Sequence, residues 1–426
     1  MDGRPTRICV YAIAKDEQEN AAKWYERVKC ADFVVVLDTG SSDRTVEILR
    51  GLGASVFTKK YGTEEHDENG EKDSVSRAPR ISRFRFDTAR NDALQYALET
   101  GADVFFALDM DEFPDPGWDE ALRNGWNPEV HTHATYDLYL NDSSKPGSLN
   151  WIHDRSWRWR YPVHEVMERR DGSGVSYHVS HQLDLRGGKL VVRHPDHPET
   201  HDTYLPLLRL RLEEWPDDQD TIAYYLRELM YYGKADEILD FEPKIRMHAL
   251  RGNPGAWVCL CLADAHDRKK HVATADALLF RAWTLDPENR TAPTRLAARL
   301  CAEGDPLGAE AVLKRAFAIS GVKGTEEHEE HEKASSPSSP YFPVGRKRPD
   351  CLFLDHEDVW LWRMADWLGV ALYQQGKYRE ALEHFRRALA GANTEDARKH
   401  CADNIRFCEQ EISKTTEHTE HTEQGE

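Results

Sequence analysis

Long apolar runs are missing from this sequence. No stretch of 18 or more apolar residues occurs in its 426 residues, so it offers no membrane-spanning helix. Basic charge is also short. Lys and Arg number 56 against 75 Asp and Glu, for a formal net charge of −19. General nucleic-acid binding needs a basic footprint and is therefore disfavoured. Cysteine is sparse and scattered: of eight, only Cys259 and Cys261 lie close together, too little for a zinc module. Reduced thiols in a cytoplasmic protein are expected. A secretory leader is not evident, because the apolar stretch from Ile8 runs into Lys15-Asp16-Glu17 instead of a small-residue cleavage site.

The acidity that is present is uneven. Glu326–Lys333 holds five Glu against one Lys, and Thr415–Glu426 holds four Glu, which leaves −11 for the remainder. That is ordinary for a soluble enzyme. The length suggests roughly two or three domains, large enough to fold on apolar cores without disulfides.

The first third alternates strand and helix patterns. Arg7–Ala14, Asp32–Leu37, Ala54–Thr58 and Asp103–Leu108 read as strands. Glu19–Lys29, Thr45–Leu52 and Asp87–Glu99 read as helices, the second capped by Ser42 or Asp43. The continuous β-branched run of Asp32–Leu37 is the mark of a strand covered on both faces. The alternation predicts an α/β domain with a mostly parallel sheet, whose ligands bind beyond the carboxyl ends of the strands. Residues 61–80 form a polar loop insertion, and Trp118–Thr203 reads as antiparallel pieces completing a first domain of residues 1–203.

From Tyr204 the pattern turns helical. Gly369, Gly376, Tyr378, Ala381, Phe385 and Ala388 fall at tetratricopeptide spacing, with small residues where two antiparallel helices approach and aromatics between them. Weaker copies occupy Ile222–Leu239, Ala256–Leu285 and Thr294–Ile319. An all-α tetratricopeptide-like repeat domain is expected over 204–320, then a polar linker over 321–345, further repeats over 346–412 and a disordered low-complexity tail over 413–426.

Candidate chemistry gathers at the predicted strand ends. Asp109-Met110-Asp111-Glu112 follows an apolar strand, so two carboxylates one residue apart can meet one hard cation. Asp38-Thr39-Gly40-Ser41-Ser42-Asp43 also ends a strand and opens a helix; Asp38 suits a ribose or base, or else serves only the turn. Arg90, early on a helix at the same edge, can take a phosphate bidentately or pair with a site carboxylate.

Together, AIAKDE at 12–17, LDTGSSDRT at 37–45, ARNDAL at 89–94 and ALDMDEF at 107–113 resemble the family 2 glycosyltransferases of the GT-A fold. The resemblance covers about residues 7–115. It implies that Ala12, Ala14, Glu17 and Asp38 hold the nucleotide, that Arg90 lies near it, and that Asp109 and Asp111 carry Mn²⁺ or Mg²⁺, with Asp111 the usual direct ligand. The stretch Trp157–Glu165 and the strand Leu190–His194 are similar to a bacterial branch that fuses this domain to tetratricopeptide repeats, a build comparable to the sublancin-type peptide S-glycosyltransferases. The resemblance to GT-A enzymes further implies a histidine after the core sheet completing the metal site: His194, or its neighbours Asp196, His197 and His201.

The expected activity is a metal-dependent, inverting transfer of a sugar from a nucleoside-diphosphate donor, UDP by analogy, to a polypeptide, glycan or other acceptor. Glu165 is the candidate general base, with Glu112, Asp115 and Asp137 as competitors. Trp151, Trp157 and Trp159 stack on sugars or fill the core. Arg155, Arg158, Arg160, Arg169 and Arg170 bind an anionic acceptor or the donor diphosphate, or are ordinary surface charge. A nucleotidyltransferase fits less well, since AIAKDEQEN lacks the glycine-rich triphosphate loop. The rival reading is a non-catalytic interaction protein, with the repeats binding a protein partner or a second copy and the first domain a degenerate scaffold.

Overall fold

The structure is a computed structural model and describes residues 4–61, 84–140, 147–175, 182–194, 204–319 and 362–423. The chain divides into two compact units, Met1–Glu214 and Trp215–Glu426.

The first unit is mixed α/β. Strands β1 (Ile8–Ala14), β2 (Phe33–Asp38), β3 (Ser55–Thr58) and β4 (Val104–Ala107) run parallel in the order β3-β2-β1-β4. The sheet continues through β7 (Gly147–His153), β6 (His133–Leu140), β11 (Val191–His194) and the short β5 (Phe113–Pro114). There β7 is antiparallel to both neighbours, while β11 is parallel to β6. β10 (Gln182–Asp184) pairs with the start of β6, and β8 (Trp157–Arg160) and β9 (Val166–Arg169) form a separate hairpin.

Side-chain alternation along β1 explains why the sheet is buried on both faces. Ile8, Val10 and Ala12 pack with Trp24, Leu49, Phe106 and Trp118 on one side. Cys9 and Tyr11 pack with Val35, Leu37, Leu94, Trp157 and Trp159 on the other. The covering helices are α1 (Ala21–Val28), α2 (Thr45–Leu52), α3 (Phe86–Glu99) and α4 (Trp118–Gly125). The predicted strands and helices of residues 7–108 thus appear within a residue or two of their expected bounds. α2 starts after Arg44, and the first-turn amide of Thr45 is met by Asp43 Oδ1 at 3.0 Å.

Helix α5 (Tyr204–Glu214), expected to open the repeat region, belongs to the first unit. Its Arg211 is buried, stacks 3.5 Å from the Tyr161 ring centre and donates to the carbonyls of Val163 and His164, each at 3.2 Å. Such a buried guanidinium is held by the partners it satisfies, which ties α5 to the sheet unit.

The second unit is helical. Its helices pair as α6/α7 (Gln219–Tyr231, Ala235–Phe241), α8/α9 (Gly252–Arg268, Val272–Leu285), α10/α11 (Thr291–Ala302, Pro306–Ile319) and α12/α13 (Met364–Gln374, Tyr378–Gly391). These correspond to the four expected repeat copies. Gly369 lies against Phe385, so close that an added Cβ would come within 2.6 Å of the ring. The tail departs from expectation: α14 runs from Glu395 to Glu423, continuing through residues expected to be disordered. The insertion beyond Tyr61, the 321–345 linker and residues 346–361 lie outside the described residues.

Candidate functional site

At the carboxyl edge of the parallel strands the chain brings several of the predicted residues together. Arg90, on the first half of α3, is their centre. Its two terminal nitrogens meet Asp109 at 2.8 and 2.9 Å, and its Nε donates to Glu165 Oε1 at 2.8 Å. The guanidinium is capped by two rings, Trp151 at 4.8 Å and Trp159 at 5.0 Å from their centres. Burial works against its charge, but Asp109 and Glu165 outweigh that and hold its pKa well above the ordinary arginine range. Of the two roles open to Arg90 in the sequence, the pairing with a site carboxylate is the one observed.

Glu165 reaches this position through a strained segment. Tyr161 and His164 both adopt positive φ, +80° and +50°, a region that non-glycine residues rarely enter. Arg211 holds the carbonyls of this segment, and the Phe86 amide donates to the Pro162 carbonyl at 3.1 Å. Burial raises the Glu165 pKa and Arg90 opposes that rise.

The Asp109–Glu112 turn is closed on itself. Glu112 is buried, and its Oε2 accepts from the Asp109 amide at 3.0 Å. Burial first, and the Asp109 charge second, push its pKa up to about 8. Asp111 meets His194, with Oδ2 and Nε2 3.2 Å apart. His194 ends β11, opposite Leu140 of β6 in register. Both side chains are about a quarter exposed, so the pair is open to solvent. Asp196, His197 and His201 lie outside the described residues. Among the described residues no group of three or more His, Cys, Asp and Glu side chains is arranged to hold one ion.

The residues assigned to the nucleotide sit on β1, β2 and their loops. Ala12 and Ala14 are buried in the sheet, and the Ala14 carbonyl accepts from both Thr39 N (2.8 Å) and Thr39 Oγ1 (3.1 Å). Asp38 is buried at the end of β2 and accepts from the amides of Gly40 (3.2 Å) and Ser41 (3.1 Å), so it organises its own turn. Gly40 makes that turn with φ at +115°. Glu17 Oε2 accepts from Asn20, and its amide donates to Thr45 Oγ1.

The competing carboxylates have other partners. Asp115 pairs with Arg193 at 2.8 Å, and Asp137 accepts from the Gly188 amide at 2.8 Å. In the arginine group, Arg158 and Arg160 share the single carboxylate of Glu168, Arg169 stacks on Trp157, and Arg170 donates to the Arg155 carbonyl.

Two contributors had no role in the sequence reading, which named Asn91 only as Arg90's neighbour on the helix and passed over Tyr11. Asn91 binds the Trp159 backbone from both sides, Nδ2 to the carbonyl at 2.8 Å and Oδ1 from the amide at 2.9 Å. Tyr11 accepts from Trp159 Nε1 at 2.9 Å and lies 2.8 Å from His153 Nε2. The signal for Tyr11 was its hydroxyl in an otherwise apolar strand. Together they fix the Trp159 ring over Arg90.

Comparison with known proteins detects one repeat. Residues 368–395 match the tetratricopeptide repeat, which spans most of α12, α13 and their turn. Solved structures with similarity include the MamA protein, 15% identical, covering 45% of this chain and 82% of that one at a TM-score of 0.31. A thermophilic TPR protein of Thermus thermophilus is 18% identical, with 48% and 90% covered at a TM-score of 0.28. The first TPR of Spaghetti (RPAP3), bound to an HSP90 peptide, is 14% identical, with 39% and 98% covered at a TM-score of 0.27. No curated protein matches the sequence. The family match places a tetratricopeptide repeat in the helical unit. No described helix is long and apolar enough to cross a membrane.

Proposed function

We propose that this chain acts by binding a polypeptide partner through its helical unit. The observation that carries this reading is the tetratricopeptide match at 368–395, set within four successive helix pairs. Stacked pairs of this kind build extended binding surfaces from side chains of neighbouring repeats. Selection of peptides from a displayed library on the full chain tests it. Enriched peptides should bind with a footprint on the helices of 215–423, and failure to enrich any sequence would count against the reading.

A second reading adds chemistry: the sheet unit is a nucleotide-sugar-dependent glycosyltransferase of the GT-A type. What favours it is the meeting of Asp111 and His194, distant in sequence, at the edge where a parallel sheet binds ligands. An oxygen and an imidazole donor, both partly exposed, suit Mn²⁺ better than the all-oxygen Mg²⁺ and leave positions for phosphate oxygens. When bound, such an ion offsets negative charge on a leaving nucleoside diphosphate.

The chain's own residues then have defined tasks. Asp111 and His194 would hold the ion. Arg90 holds Asp109 and is itself fixed by Glu165 and two tryptophans. Glu165, with its pKa raised, is the candidate to accept the acceptor's proton. Thermal midpoints with UDP, GDP and dTDP sugars, each with Mn²⁺ or EDTA, test this. A metal-dependent rise with one diphosphate class, lost in Asp111→Ala, supports transfer chemistry. No rise with any donor leaves the protein an interaction module with an inactive sheet unit.

A further inference from the structure

The four helix pairs of the second unit turn by one shared geometry. In each, the first residue of the turn's far side donates its amide to a carbonyl five residues back: Lys234 to Leu229 at 2.9 Å, His271 to His266 at 2.9 Å, Asp305 to Leu300 at 2.8 Å and Lys377 to Leu372 at 3.0 Å. The residue before each donor has positive φ. Three of them are glycine, namely Gly233 at +67°, Gly304 at +83° and Gly376 at +75°. The fourth is Lys270 at +61°, which carries the left-handed penalty its sisters avoid.

That same turn departs from the others at both ends of its hydrogen bond. Where the sister turns place leucine, at positions 229, 300 and 372, this one places His266. Its donor is a second histidine, His271. The two rings are tilted by 48° with their Nδ1 atoms 3.2 Å apart, and His266 Nε2 lies 2.9 Å from Glu242 Oε2. A carboxylate only accepts, so His266 carries its proton on Nε2, and its Nδ1 lone pair is aimed at His271.

We propose that His266 and His271 form a binding site for a divalent d-block cation, with Glu242 orienting His266 from outside the coordination sphere. Two nitrogens at about 2.05 Å from one tetrahedral ion stand about 3.3 Å apart, close to the observed separation. The ion takes the place of the proton shared between the rings. A carboxylate on the far nitrogen of a ligating histidine is the usual device for fixing ring and tautomer. Imidazole donors suit Zn²⁺, Ni²⁺ and Cu²⁺ over Mg²⁺ or Ca²⁺. His271 is exposed, so the ion has access, and water completes the shell. Bound there, it pins the start of α9 to the end of α8. This site is separate from Asp111 and His194, and does not depend on either functional reading.

The test uses Zn²⁺ with the full chain at pH 7.5. The chain has 20 histidines, so the readout must resolve the site. Diethylpyrocarbonate labelling with peptide mapping does so. Zn²⁺ should slow modification of His266 and His271 in the wild type. In His271→Ala, Zn²⁺ should no longer protect His266. Calorimetry should give one more site per chain for the wild type than for His271→Ala, and Glu242→Gln should weaken that site by about tenfold. His271→Gln serves if the alanine variant misfolds. Equal isotherms for wild type and variant, or labelling of His266 and His271 unaffected by Zn²⁺, would overturn the proposal.

Discussion

His194 Nε2 lies 3.2 Å from Asp111 Oδ2, joining the last strand of the sheet to the turn after β4. The neighbouring Asp109 meets Arg90 instead. The two aspartates of one short motif therefore divide their work, both partly exposed: one pairs with the buried Arg90, and the other meets a histidine.

The Arg90 cluster is a strong test of packing. Arg90 and Glu165 are both largely buried, at 6% and 10% side-chain exposure, and Asp109 completes the triad. Removing one partner of a buried pair leaves a charge uncompensated. Arg90→Met should destabilise the sheet unit by about 3–5 kcal/mol in urea unfolding. The double change Arg90→Met with Glu165→Leu should recover much of that loss. A single variant as stable as wild type would show the triad to be incidental.

Acid sensitivity of the sheet unit should come in part from His153. Burial lowers its pKa from 6.5 to about 4, so the folded ring stays neutral where the unfolded one is charged. The unfolded state thus binds the extra proton between these values. Stability is fully present above pH 6.5 and is lost as pH falls toward 4, by about 3 kcal/mol in total. Unfolding free energies measured from pH 7.5 to 4.5 should fall less steeply in His153→Gln. Parallel slopes would refute the assignment.

The repeat packing has its own probe. A Cβ at position 369 would sit 2.6 Å from the Phe385 ring, which is buried. Alanine is otherwise a better helix former than glycine by up to about 1 kcal/mol. Here overpacking should win, and Gly369→Ala should lower the thermal midpoint, consistent with a cost of about 1–3 kcal/mol. Gly369→Ala combined with Phe385→Leu should restore it. A rise in midpoint for the single variant would mean that the helices separate freely.

Much of this architecture was legible because its signals are local. The run Phe33–Asp38 reads as a strand covered on both sides, and the spacing of Gly369, Tyr378 and Phe385 reads as a helix pair. The resemblance named Asp111 and His194, with Asp196, His197 and His201 as alternatives, for one metal site; the structure sets the first two 3.2 Å apart. What escaped depends on through-space pairing. That α5 belongs to the sheet unit rests on Arg211 reaching the carbonyls of Val163 and His164, which helical periodicity cannot reveal. Asp38 left two roles open, a ribose or its own turn, and Glu112 read as a candidate base, yet each bonds an amide within three residues of itself. The low-complexity composition of the tail suggested disorder, whereas α14 continues through Glu423.

The central claim is that the helical unit binds a polypeptide. Hydrogen exchange on the full chain, with and without a peptide selected from a displayed library, tests it most directly. The account predicts slowed exchange within 215–423, including α12 and α13, unchanged by EDTA or UDP. Slowed exchange confined to residues 4–214 would contradict it.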